Sequence, residues 1–208
     1  MIKNLIFDMG QVLIEFDPDR YISLAGADPA DIPLLRSEVF RSPEWYAIDR
    51  GGISPEQGVV SVRARLPKRL HAIAEDLVLR WWQHGIFPIA GMGELIAALK
   101  REGYKIYLLS NASSLFYNYF SSIPGSELFD GLLVSSDYGL LKPQHEIYEK
   151  LFSVFKLLPE ECLFIDDQPQ NIEGASICGM QGIVFRGDVN RLSAEIRERC
   201  KPAAASKA

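Results

Sequence analysis

The chain has 208 residues, enough for one core domain plus a smaller appended one, and its 48% hydrophobic and 24% charged residues are the balance of an ordinary globular protein. A net charge of −5 argues against a nucleic-acid or anionic-membrane partner, and no apolar run reaches the roughly 18 residues of a transmembrane helix. The three cysteines, Cys162, Cys178 and Cys200, are far apart and odd in number, which suggests neither a disulfide framework nor a zinc site and fits a reducing compartment.

Residues 2–7 (Ile-Lys-Asn-Leu-Ile-Phe) form a short, nearly continuous apolar run, the pattern of a strand buried on both faces. Asp8 and Gly10 cut the run before it reaches signal-peptide length, so a cytoplasmic location is expected. Residues 17–88 follow with Trp45, Trp81, Trp82, several prolines and helical patterns near 30–41, 55–65 and 70–85, but no strong strand. From there strands alternate with helices: strands at 105–109, 131–135, 162–165 and 182–185, helices near 93–102, 113–121, 144–156 and 169–179. Alternation predicts an α/β fold, a Rossmann-like, doubly wound parallel sheet with right-handed crossovers. Residues 1–16 and 89–200 are expected to build that core, 17–88 a helical domain inserted after the first strand, and 201–208 a frayed tail.

Four polar features lie at strand C-termini, the edge where open α/β sheets bind ligands. Asp8 follows the first strand; a carboxylate there can attack an electrophile, or simply cap a turn. Ser110-Asn111 follows the second, as an anion site or an N-cap. Lys142-Pro143 precedes the helix near Gln144, with a lysine placed to neutralise a phosphate or to sit in solvent. Asp166-Asp167 ends the fourth strand; two adjacent carboxylates there repel unless a cation joins them, and magnesium prefers oxygen ligands.

In this order and at these places, the four features resemble the motifs of the haloacid dehalogenase (HAD) superfamily, from Ile2 to about Gly187. The stretches 7–13 (Phe-Asp-Met-Gly-Gln-Val-Leu), 49–54 (Asp-Arg-Gly-Gly-Ile-Ser) and 166–175 resemble more narrowly the branch that holds bacterial α-glucose-1-phosphate phosphatase. The resemblance implies a magnesium-dependent phosphatase acting on a small phosphorylated metabolite, such as a hexose 1-phosphate, through an aspartyl-phosphate intermediate. It implies Asp8 as nucleophile and metal ligand, the Gly10 carbonyl and Asp167 as further ligands, and Asp166 on the metal or its water. Ser110, the Asn111 amide and Lys142 would hold the phosphoryl oxygens, Met9 and Gly10 would border the substrate, and Asn171 would stand behind the acidic pair. Residues 17–88 would be a cap that closes over the site, with Arg50 meeting polar groups of the substrate and Trp45 packing on a sugar face; a surface arginine and a core tryptophan are the ordinary alternatives.

The sequence departs from the superfamily at Gly10. Most phosphatases of the group carry there a second aspartate that protonates the leaving oxygen, help typically worth about 10²–10⁴ in rate. A glycine is compatible with three readings: a phosphatase with another proton source, a 2-haloacid dehalogenase, whose chemistry needs no metal, or a catalytically impaired phosphate-ligand binder. The histidines, His71, His84 and His145, are isolated, and no residue pattern specifies a monomer or a dimer.

Overall fold

A computed structural model describes residues 1–201; apart from Lys201, the expected tail lies outside the described residues. Five strands form one parallel sheet: β1 (Asn4–Phe7), β2 (Lys105–Ser110), β3 (Gly131–Val134), β4 (Cys162–Asp166) and β5 (Gln181–Val184), in the order β3-β2-β1-β4-β5. β1 and β4 are buried throughout, and β2 throughout save Lys105, because helices cover both faces; that is why they read as unbroken apolar runs. The edge strands β3 and β5 stay partly exposed.

Between β1 and β2 the chain forms α1 (Pro18–Leu24), α2 (Ile32–Leu35), α3 (Pro43–Asp49), α4 (Pro55–Arg65) and α5 (His71–Arg80). Three of these start alike, with a polar N-cap followed by proline: Asp17-Pro18, Ser42-Pro43 and Ser54-Pro55. The cap accepts a hydrogen bond from a free amide of the first turn, and proline at the first position costs nothing because its missing N–H would have had no partner. At α4 the Gln57 side chain returns the bond to the Ser54 amide. The helix expected over 30–41 is broken into a 3₁₀ turn at Pro29–Asp31, α2, and a π-type turn at Arg36–Phe40. Its prolines, Pro29 and Pro33, each fit only the first turn of a helix.

α6 (Met92–Arg101) leads into β2, and α7 (His145–Phe155), α8 (Pro169–Ile177) and α9 (Val189–Cys200) follow it. Side chains alternate along the strands and so build two cores. Leu5, Phe7, Ile106, Leu108, Leu163 and Ile165 join Ile96 and Leu99 of α6 and Ile196 of α9. Ile6, Tyr107, Leu109 and Phe164 join Ile147, Tyr148 and Leu151 of α7 and Ala175 of α8. Side chains buried as fully as Leu5 or Phe7 contribute about 1.5–3 kcal/mol each. The first core continues without a break into the inserted helices, through Tyr21, Ile22, Leu35 and Leu77.

The helix expected at 113–121 is instead two 3₁₀ turns, Ser114–Asn118 and Phe120–Ser122. Ser, Asn, Tyr and Phe are indifferent helix formers, and a 3₁₀ turn brings residues three apart over one another. Phe116 and Tyr119 are such a pair, with ring centroids 5.7 Å apart in an aromatic cluster that includes Trp81, Trp82 and Phe120.

Three contacts tie the end of α3 to the sheet edge. The Ser135 hydroxyl donates to the Asp49 carbonyl (2.5 Å), Arg50 donates to Gln144 Oε1 (2.9 Å), and Gly51 lies against Ser136. Gly51 has φ of +75°, and a Cβ there would collide with the Ser136 carbonyl oxygen. Gly51→Ala is expected to destabilise the protein by about 1–3 kcal/mol. Urea unfolding beside the parent checks this; an unchanged midpoint would show that the contact carries no strain.

Candidate active site

β1 lies at the centre of the sheet, with β2 and β4 on either side, so the C-termini of all three meet. Phe7 pairs with Leu108 and with Ile165, which sets Asp8 beside the ends of both neighbours. Asp8 is nearly buried; its amide donates to the Ile165 carbonyl (2.9 Å) and its Oδ1 accepts from the Met9 amide (2.7 Å). Lys142 reaches in from the loop before α7. Its buried ammonium lies 2.7 Å from Asp8 Oδ1, 2.8 Å from Asp166 Oδ2 and 3.0 Å from the Leu109 carbonyl, which uses all three of its donors. Asn111 fixes that loop: its side chain accepts from the Lys142 amide (2.8 Å) and donates to the Lys142 carbonyl (3.1 Å). Ser110 is buried beside it at the end of β2.

The adjacent carboxyls of the acidic pair have different surroundings. Asp166 is fully buried and its oxygens are taken up by Lys142, the Gln168 amide (2.8 Å) and the Asn171 side chain, 3.0 Å from each oxygen. Asp167 is half-buried and accepts from Gln168 Nε2 (2.5 Å). Carboxylate oxygens of Asp8, Asp166 and Asp167 lie within 4.8 Å of one another.

Three carboxyls face one ammonium in a largely buried place. Burial pushes the Asp8 carboxyl up to about 7; Lys142 opposes the rise and Asp166 adds to it. Asp167 is also raised, by burial and then by Asp166. Burial works against the Lys142 ammonium, but Asp8 and Asp166 beside it override this and hold it above its ordinary value. The cluster is therefore short of positive charge, and its donors are all oxygens. That donor set fits a hard divalent cation.

A pH dependence follows for the metal-free protein. At pH 5 the folded chain keeps a proton on Asp8 that the unfolded chain, with Asp8 at 3.8, has released. The unfolded state binds fewer protons, so stability falls as pH rises from about 5 to 8, and the loss is complete once Asp8 has ionised near pH 7. A fall of about 2–4 kcal/mol is expected in urea titrations with a chelator present, shrinking when magnesium is supplied. Stability that is flat or rising across this window would contradict the charge deficit.

Beside Asp8 opens a cleft of about 430 Å³, its open mouth included, lined by Met9, Gly10, Phe16, Trp45, Asp49, Trp81, Asn111, Ala112, Ser113 and Tyr119. It lies between the strand ends and the inserted helices.

Residues 2–179 match the family model described as haloacid dehalogenase-like hydrolase. The chain belongs to this family. Among curated HAD relatives it is similar to a sesquiterpene phosphatase of Aspergillus oryzae, 27% identical over 87% of this chain and 88% of the relative. It is also similar to a D-ribitol-5-phosphate phosphatase of Bacteroides thetaiotaomicron, 29% identical over 83% and 86%. Among solved structures, a HAD-family enzyme of Bacteroides thetaiotaomicron in complex with magnesium and inorganic phosphate superposes with a TM-score of 0.72 at 21% identity, covering 92% of this chain and 99% of that one; at that identity the likeness is one of fold.

Of the residues singled out in the sequence, the HAD fold brings together Asp8, Ser110, Asn111, Lys142, Asp166 and Asp167, with Asn171 behind Asp166. Met9, Gly10 and Trp45 line the adjoining cleft, and Trp45 also packs on Phe40, ring centroids 4.7 Å apart. Arg50, read either as meeting polar groups of the substrate or as an ordinary surface arginine, is exposed, donates to Gln144 and is not among the residues lining the cleft. Sequence reasoning missed Phe16, Ser113 and Tyr119 as cleft residues and Ser135 as an anchor of α3. Ser135 directly follows β3, the same strand-end signal that marked Ser110.

Proposed function

We propose that the chain is a magnesium-dependent phosphatase of a small phosphorylated metabolite. The carrying observation is the convergence of Asp8, Lys142 and the Asp166–Asp167 pair at one sheet edge. Asp8 attacks phosphorus and forms the aspartyl-phosphate, which water then hydrolyses. Lys142, held by Asp166, sits beside the attacking oxygen, where it offsets phosphoryl charge. Ser110 and the Asn111 amide hold phosphoryl oxygens. Asp8, the Gly10 carbonyl and Asp167 would bind magnesium, with Asp166 behind them. The ion, when bound, neutralises charge on the phosphoryl group. Asn171 and the Gln168 amide hold the Asp166 carboxylate aimed at Lys142. Halide displacement would need no cation, so the acidic excess weighs for phosphate; the two curated phosphatases weigh the same way.

Residues 17–88 act as the cap over a core of 1–16 and 89–200. The aromatic faces of Phe16, Trp45, Trp81 and Tyr119, with Asn111, Ser113 and Asp49 among them, suit the ring and hydroxyls of a sugar phosphate such as a hexose 1-phosphate. The free cysteines among the described residues fit a cytoplasmic enzyme, and no described helix is long and apolar enough to cross a membrane. The test is phosphate release from a panel of phosphorylated metabolites, glucose 1-phosphate included, with magnesium and with a chelator. Magnesium-dependent turnover is expected. Chloride release from a 2-haloacid without metal, and no phosphate release, would replace this reading with the dehalogenase one.

A further inference from the structure

We propose that Asp49, at the end of α3, is the proton donor and acceptor that Gly10 cannot be. This rests on the phosphatase reading above.

The leaving oxygen departs on the cleft side of Asp8, which Met9 and Gly10 border. Gly10 has no side chain, yet a Cβ there would meet nothing nearer than Phe16 at 4.0 Å. Space beside Gly10 is therefore open, and the acid can come from across the cleft. Among the residues lining that cleft, Asp49 is the one with a carboxyl. The residue keeps some exposure through the cleft mouth, but protein atoms surround the carboxyl itself.

Its position is built. The Ser135 hydroxyl holds its carbonyl at 2.5 Å, and Ser135 also accepts from the Ala112 amide (2.9 Å), so α3 is registered against the loop after β2. Trp45 and Ser113 line the cleft alongside Asp49. No lysine or arginine lines the cleft. Burial, with no cation lining the cleft, holds the carboxyl well above the ordinary range, the direction a proton donor needs. Lys142, by contrast, is committed to Asp8, Asp166 and Leu109 and has no donor left for the leaving group.

The steps balance. Asp8 Oδ bonds to phosphorus as the bond from phosphorus to the leaving oxygen breaks, and the proton of Asp49 passes to that oxygen. The alcohol leaves. Asp49, now a carboxylate, takes a proton from the water that attacks the aspartyl-phosphate; the bond to Asp8 breaks, inorganic phosphate leaves, and Asp49 is again protonated.

The test compares Asp49→Asn with the parent on two phosphate esters of similar size, in saturating magnesium. Benzyl phosphate releases an alkoxide that needs a proton; p-nitrophenyl phosphate releases a phenolate that does not. For benzyl phosphate kcat/KM is expected to fall about 10²–10⁴-fold, the usual span for general acid help. For p-nitrophenyl phosphate, where kcat/KM ends at the first transfer, a change under about fivefold is expected, with a burst of nitrophenolate as water attack becomes slow. Equal losses on both esters would make Asp49 a binding or structural residue and overturn the proposal, as would no loss on benzyl phosphate. Asp49→Ala is read by the same ratio, and failure of both variants to fold would assign Asp49 a structural role and also overturn it. A parent enzyme inactive on both esters would instead sink the phosphatase reading itself.

Discussion

Asp8→Asn is expected to lower phosphate release by at least about 10⁴-fold while leaving a folded protein. The substitution keeps the shape of the side chain but removes the carboxylate, the proposed nucleophile, at the place where β1, β2 and β4 meet. The amide can still accept from the Met9 amide and from Lys142, as Oδ1 does now at 2.7 Å in both contacts. The fold is expected to hold, and at pH 8 without metal to gain stability, because a carboxylate that burial pushes up to about 7 is gone. The measurement pairs steady-state phosphate release with urea unfolding. Wild-type activity in this variant would remove Asp8 from the chemistry and with it the aspartyl-phosphate.

Lys142→Met is expected to cost both stability and turnover. The ammonium is buried and bonded to two carboxylates, and methionine is similar in length but offers no charge. Breaking one side of a buried ion pair typically costs about 3–5 kcal/mol, because the partner charges stay behind uncompensated. Asp166 suffers most, since it has no exposure through which to be hydrated. The defect is expected to ease at pH 5, where Asp8 takes up a proton, and phosphatase activity is expected to fall by roughly 10²-fold or more as the phosphoryl group loses its fixed cation. Unfolding at pH 5 and pH 8 beside assays at both would check this. A pH-independent loss would mean that packing, not charge, is what Lys142 supplies. Because Asp8 and Lys142 are in contact, the double variant Asp8→Asn/Lys142→Met is expected to be more stable than the sum of the two single effects.

Much of this was readable in the sequence for a local reason. A strand covered on both faces must be apolar at every position, so β1, β2 and β4 announce themselves, and a charged residue that ends such a run stands at the ligand-binding edge of the sheet. Asp8, Ser110 and the acidic pair stood out that way, while Asn171 was singled out only through the family resemblance. The short helix α3 escaped, because seven residues opened by Ser42-Pro43 carry too little periodicity to stand out.

What the sequence determined by itself was the strands, the parallel sheet and the polar residues at the strand ends, since each depends on neighbours a few residues apart. Tertiary structure alone decided which residues act together. The order β3-β2-β1-β4-β5 placed Asp8 between Ser110 and Asp166, a matter of pairings more than 100 residues apart in number. Strand alternation, once Asp166 faced Lys142, turned Asp167 outward and gave two adjacent aspartates different partners. Docking of α3 on Ser135 put Asp49 in the cleft, while the hydrogen bond from Arg50 to Gln144, 94 positions away, took the neighbouring residue out of it. Contacts that distant leave no periodic trace in the chain, because their geometry is set by how whole elements pack and not by the local run of residue types.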